Sequence, residues 1–141
     1  MRRPLEQVAV GQELPDLRRV VTREDVQAYA DAGGDHNPLH RSDEFARSVG
    51  FDGAIAHGMF TMGHMAACVV AWAGEADAVS AISAQFRATV SMGQEIVAGG
   101  RVRAIDTEAR TAVLELWVSS ERDGELEWPI KRGEATVRLG S

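Results

Sequence analysis

The sequence is poor in several features that would each name a class of protein. It has one cysteine, Cys68, so no internal disulfide can form, which fits a reducing compartment. Cys68 sits in the run MAACVVAW with no charged neighbour, and reads as a buried, inert thiol. No long basic run occurs. Lys and Arg number 15 against 21 Asp and Glu, a net charge of −6, so the electrostatic footprint of a nucleic-acid binder is missing. No signal peptide is visible, because Arg2 and Arg3 lead into Pro4, Glu6 and Gln7 rather than an apolar stretch. Together these features predict a cytoplasmic location. The only candidate for a membrane span is His57 to Gly74, 18 residues without Asp, Glu, Lys or Arg. That length is marginal for a hydrocarbon layer of about 30 Å, and the segment holds two His and several Gly, so it reads as a buried helix. Internal repeats, linkers and low-complexity tracts are also missing.

What is present fits one domain over residues 1–141, with 45% hydrophobic and 26% charged residues, an ordinary globular balance. Thr22 is a helix cap, followed by Asp25 near the dipole's positive end. Val26, Tyr29 and Ala30 carry helical spacing, and Gly33-Gly34 end it. Pro38 biases Asn37 toward an extended backbone, so residues 35–40 form a loop. Ser42 caps a short helix from Asp43 to Val49. A long apolar helix runs from about His57 to Ala73, hydrophobic nearly all round and so expected to be covered on most sides. The second half reads as strands: Val79 to Val90, Glu95 to Ile105, Thr111 to Ser120 and Glu127 to Leu139. Leu114, Leu116 and Val118 alternate with Glu115, Trp117 and Ser119. Asp123-Gly124 is a hairpin turn, and Pro129 predicts an edge strand or a bulge. The order predicts an α+β fold, a curved antiparallel sheet wrapped around the apolar helix.

Two clusters can carry chemistry. In Gly34-Asp35-His36-Asn37-Pro38-Leu39-His40, Asp35 and His40 can face a ligand from one side as an acid and a base. The same loop also reads as a turn in which Asp35 or Asn37 bonds to backbone N–H groups. A third reading is a metal site of His36, His40, Asp35 and His57, although the spacing of the two loop histidines requires a helix that Pro38 opposes. In the second cluster, His57-Gly58-Met59 opens the apolar helix. The Gly58 N–H has no intrahelical partner and no side chain shielding it, so it can stabilise an oxyanion; alternatively, Gly58 only permits close packing. His64 reads as a satisfied core residue, and His36 is expected to point away. Met59, Met62 and Met65 recur at helical spacing as core or tunnel lining.

Together these clusters resemble the (R)-specific enoyl-CoA hydratase and MaoC-like dehydratase family. Its signature is an aromatic residue, a short spacer, G-D-x-N-P-[LIV]-H, five residues and Ala or Ser. It stands here as Tyr29, Gly34 to His40 and Ala46, with His57-Gly58-Met59 at the family's usual distance. Within the family, Ala54 to Met59 with Thr61-Met62-Gly63 is most similar to the catalytic subunits of actinobacterial (3R)-hydroxyacyl-ACP dehydratases. The resemblance implies a hot-dog fold. It implies hydration of trans-2-enoyl thioesters, or the reverse dehydration, by Asp35 and His40 with a Gly58 oxyanion hole. Asn37, His57, Met59 and Met62 would contact substrate. It implies no cofactor and no metal, an acyl-CoA or acyl-ACP substrate, and a dimer with itself or with a related hot-dog subunit. A non-catalytic acyl-binding subunit and a thioesterase are the alternatives. Arg87, Arg101, Arg103, Lys131 and Arg132 are candidates for the carrier phosphates. The sequence departs from the family at Ala66, where some members carry Ser. It departs again at Ser91-Met92-Gly93-Gln94, where a P-G-D turn is common.

Overall fold

A computed structural model describes residues 1–141. Helix α1 (Arg23–Gly33) begins where the Thr22 side chain accepts a hydrogen bond from the Asp25 N–H, and ends at Gly34 in the left-handed region, φ 76°. Helix α2 (Asp43–Ser48) begins at Ser42, whose hydroxyl accepts from Phe45 N–H. It stops one residue short of the expected Val49. Residues 35–40 are a loop, as their sequence predicts, but it closes with a single 3₁₀ turn over Pro38–His40. Pro supplies its first φ, and the Asn37 side chain caps it.

Helix α3 (Gly58–Ala73) is the axis of the fold, with Gly74 as its left-handed cap. Strands β1 (Leu17–Val20), β2 (Val79–Phe86), β3 (Glu95–Asp106), β4 (Thr111–Arg122) and β5 (Glu125–Arg138) form one antiparallel sheet in the order β1-β3-β4-β5-β2. Strand β2 is shorter than expected, because the chain leaves the ladder after Phe86. The short β1 has no alternating pattern and is visible only through its pairing with β3.

Along β4 every second residue is buried, with Ala112, Leu114, Leu116 and Val118 facing the helix. Met65, Cys68, Val69 and Trp72 of α3 meet them in one core. Full burial of a side chain such as Met65 or Val69 stabilises by roughly 1.5–3 kcal/mol. Pairing between β4 and β5 slips between Leu116 and Val118, and again between Val118 and Ser120. Extra residues of β5 thus bulge, which deepens the sheet's curl around α3. Pro129 lies in this bulged stretch of an interior strand, so of the two expectations for it the bulge holds and the edge does not. The wrapping of α3 is one-sided. Met59, Gly63, Ala67 and Ala71 remain exposed, and this outer face carries no charge. No helix is long and apolar enough to cross a membrane.

Candidate active site

The loop after α1 and the start of α3 come together at one end of the helix. Asp35 Oδ1 accepts from Asn37 N–H at 3.2 Å, and Asn37 Oδ1 from Leu39 N–H at 2.9 Å. These two short turns bend the chain so that His40 points inward. The turn reading of this loop is therefore correct for Asn37, and in Asp35 it coexists with a second oxygen left free.

That oxygen, Asp35 Oδ2, lies 4.0 Å from His40 Nε2 and 3.9 Å from His57 Nε2. His40 Nδ1 donates to the Ile55 carbonyl at 2.8 Å, which fixes the proton there and leaves Nε2 bare in the neutral ring. His57 Nε2 donates to the Asp35 carbonyl at 3.0 Å. The two imidazoles stack, and the Tyr29 ring packs tilted against His57, centroids 4.9 Å apart. A cation between Asp35, His40 and His57 would require His57 to give up its bond to the Asp35 carbonyl. His36 stands outside the group, exposed and 4.0 Å from Asp31.

A cavity of about 410 Å³ opens beside this group. His40, Gly58 and Thr61 line one wall; Phe86, Arg87, Thr89, Val90 and Pro129 contribute to the other. No carboxylate lines it, and Arg87 is its only permanent charge. Asp35 stands outside the lining, 57% exposed, within reach of His40 at its rim. Gly58 is the first residue of α3, so its N–H has no intrahelical acceptor. A side-chain carbon there would sit 3.4 Å from the Phe86 ring. The glycine therefore keeps both the N–H and the space above it open.

Two groups hold this arrangement from behind. Ala56 N–H donates to the Val90 carbonyl at 2.8 Å, tying the approach to α3 to the opposite wall. Asp43 Oδ1 accepts from Ala54 N–H at 2.9 Å while its other oxygen meets Arg23 at 2.6 Å. The Arg23 hydrogen bond, helped by the Ala54 N–H, holds the Asp43 carboxyl below its ordinary range.

The four residues expected to contact substrate lie outside the lining of this cavity. Asn37 is spent on its own loop, His57 is 3% exposed behind His40, Met59 faces outward, and Met62 packs against the core. None of the four lines the cavity. Of the candidate cations only Arg87 does. Arg101 and Arg103 pair with Glu115 and Glu134, and Lys131 and Arg132 flank Trp117 and Trp128 in a separate surface pocket. Sequence reading missed Thr61, Phe86 and Thr89. Thr61 was findable as the lone hydroxyl one turn inside an apolar helix; Thr89 follows a strand end that sequence does not mark. His64 donates to the Leu17 carbonyl at 2.8 Å inside the core, and burial lowers its pKa. Burial pushes the Cys68 thiol up to about 11, consistent with an inert packing residue.

Residues 6–121 match the family model described as MaoC like domain. The chain is 40% identical over 96 residues to the mitochondrial 3-hydroxyacyl-[acyl-carrier-protein] dehydratase of Arabidopsis thaliana, covering 68% of this chain and 55% of that protein. It is 30% identical over 124 residues to the 3-hydroxybutyryl-CoA dehydratase of Methylorubrum extorquens, covering 87% and 76%. The match thus spans little more than half of the plant protein and about three quarters of the bacterial one. Among solved structures, the (R)-hydratase from A. caviae involved in PHA biosynthesis superposes with a TM-score of 0.83 at 26% identity, covering 96% of this chain and 99% of that one. The hot-dog architecture, the Asp35–His40 loop and the extent of these matches lead to one conclusion: this chain belongs to the MaoC-like dehydratase domain family.

Proposed function

We propose that this chain is a hydro-lyase that interconverts trans-2-enoyl and (3R)-hydroxyacyl thioesters, with Asp35 and His40 as its proton-transferring pair. The observation that carries this reading is the 4.0 Å approach of Asp35 Oδ2 to His40 Nε2 at the rim of a cavity that Gly58 also lines. The thioester carbonyl accepts from the Gly58 N–H, which stabilises the enolate-like oxygen as charge develops. In hydration, the Asp35 carboxylate takes a proton from water while the oxygen attacks the β carbon. The His40 imidazolium gives its Nε2 proton to the α carbon. The pair therefore begins with one proton on His40 and ends with one on Asp35, and the reverse sequence expels water. Both groups act from one side of the chain, which corresponds to syn addition; the R configuration of the hydroxyl follows from the resemblance to the (R)-hydratases.

The carrier is coenzyme A or an acyl carrier protein, and Arg87 is the cation beside the cavity that meets an anion on it. The chain works as a dimer, with itself or with a related hot-dog subunit. Strand β2 leaves one edge of the sheet unpaired, Phe86 and Met59 near the site are 49% and 55% exposed, and the outer face of α3 is apolar. Such surfaces are uncommon on a monomer.

The test is loss of enoyl absorbance with trans-2-butenoyl-CoA and longer homologues, with thiol release followed in parallel. Asp35→Asn and His40→Ala should each lower kcat by about 10²–10⁴-fold while the circular dichroism stays unchanged. Thiol release without loss of the double bond would make the chain a thioesterase instead. Full turnover by both variants would remove the pair from the mechanism.

A further inference from the structure

We propose that Arg122, at the end of β4, is a positioning residue that sets the cavity wall and, through it, the Gly58 N–H. This rests on the hydratase reading above. The Arg122 side chain is 28% exposed and its guanidinium is shared among four acceptors, one on β5 and three on the segment between β2 and β3. Nε donates to Glu127 at 2.8 Å, one terminal nitrogen to Ser91 Oγ at 3.2 Å, and the other to the Thr89 carbonyl at 3.1 Å and Gln94 Oε1 at 3.0 Å. Asp52 lies 4.0 Å away on the loop before α3.

These contacts converge on the turn where the sequence departs from its family. With Gln94 in place of an aspartate, the Gln94 oxygen accepts from Ser91 N–H at 2.7 Å and closes the turn. Its amide nitrogen donates to buried Ser120 and to the Glu121 carbonyl. Arg122 therefore grips both ends of the turn and Thr89, two residues before it. Thr89 and Val90 are walls of the cavity, and the Val90 carbonyl holds Ala56 N–H, two residues before Gly58. A path of hydrogen bonds thus runs from Arg122 through Thr89–Ser91 and Ala56 to the start of α3. Only a planar fork can meet a carboxylate, a hydroxyl, a carbonyl and an amide oxygen together, so lysine is not an equivalent.

The experiment compares the full-length wild type with Arg122→Ala, Arg122→Lys and, as a charge control, Arg18→Ala, whose guanidinium makes an exposed ion pair with Glu95. Butenoyl-CoA hydration gives kcat and KM. Infrared difference spectra of bound butanoyl-CoA, isotopically labelled at the carbonyl carbon, report polarisation of the thioester. A saturated chain cannot be hydrated, so the spectrum isolates the hydrogen bond. Both Arg122 variants should lose about ten- to a hundredfold in kcat, with KM changing less than about threefold. Their carbonyl stretch should move back toward its value in solution, while Arg18→Ala matches wild type. Arg122 variants with unchanged kcat and an unchanged carbonyl shift, in a wild type that hydrates butenoyl-CoA, would overturn this inference alone. A wild type that neither hydrates nor shifts the carbonyl would overturn the hydratase reading, and this inference with it.

Discussion

The imidazole of His40 lies face to face with that of His57, ring centroids 3.8 Å apart and planes 25° apart. Each ring spends one nitrogen on a backbone carbonyl: His40 on Ile55, His57 on Asp35. The stack therefore clamps the loop that carries the proposed acid and base to the segment that leads into α3. His57 reaches Asp35 through its main chain and His40 through its ring face, and it is shut away from the cavity.

The clamp makes His57→Phe informative. The phenyl ring preserves the stack and loses the bond to the Asp35 carbonyl. A hydrogen bond of this kind contributes about 0.5–1.5 kcal/mol net, so kcat for butenoyl-CoA should fall roughly three- to tenfold. A loss as deep as that of His40→Ala would mean that His57 itself moves a proton.

Gly58 separates two effects that one substitution would mix. Gly58→Ala keeps the N–H but adds a carbon 3.4 Å from the Phe86 ring, so it should raise KM more than it lowers kcat. Gly58→Pro removes the N–H at the first helical position, where proline is tolerated, and should cost about 10²–10³ in kcat. Equal kcat in the two variants, with α3 intact by circular dichroism, would exclude the oxyanion role.

Arg87 lines a cavity without carboxylates, and its guanidinium is held only by Gln85 Oε1 at 2.6 Å. Arg87→Gln should raise KM for butenoyl-CoA several-fold at low salt and flatten the rise of KM with added salt. A variant with the wild-type salt dependence would move the phosphate contact to another residue.

Much of this was legible in the sequence, for reasons that differ by element. Caps at Thr22 and Ser42 are local chemistry, so both helix starts fell where their side chains predict. The alternation of Leu114, Leu116 and Val118 gave β4 its inner face. Strand β1 has only one partner, set by a contact some 80 positions away, and left no local trace. The His40 ring likewise points by virtue of Ile55, fifteen residues downstream. The motif residues were legible as a set; which of them face the cavity was not. His57, Met59 and Met62 share a helix start with Gly58, and helical rotation alone turns them to three other environments. The far wall, Phe86 to Val90, is brought opposite by the sheet's curl, a property of bulges in β5 and not of any short motif.

His64 gives the fold a pH dependence of definite sign. Burial, outweighing the hydrogen bond to Leu17, lowers its pKa from the ordinary 6.5. Between these two values the unfolded chain binds more protons than the folded one, so acidification favours unfolding. The stability contributed by a neutral His64 is whole above about pH 7. It declines as the medium passes below 6.5 toward the lower folded value, and changes no further beneath that. The urea midpoint should therefore fall between pH 7 and pH 5. His64→Gln, whose amide can still donate to the Leu17 carbonyl, should flatten that fall without altering the m-value. Asp43, held below the ordinary carboxylate range by Arg23, titrates outside this window. A wild type that gains stability on acidification across it would show that the buried ring is charged in the folded protein, and a His64→Gln variant with an unchanged slope would show that another group sets the pH dependence.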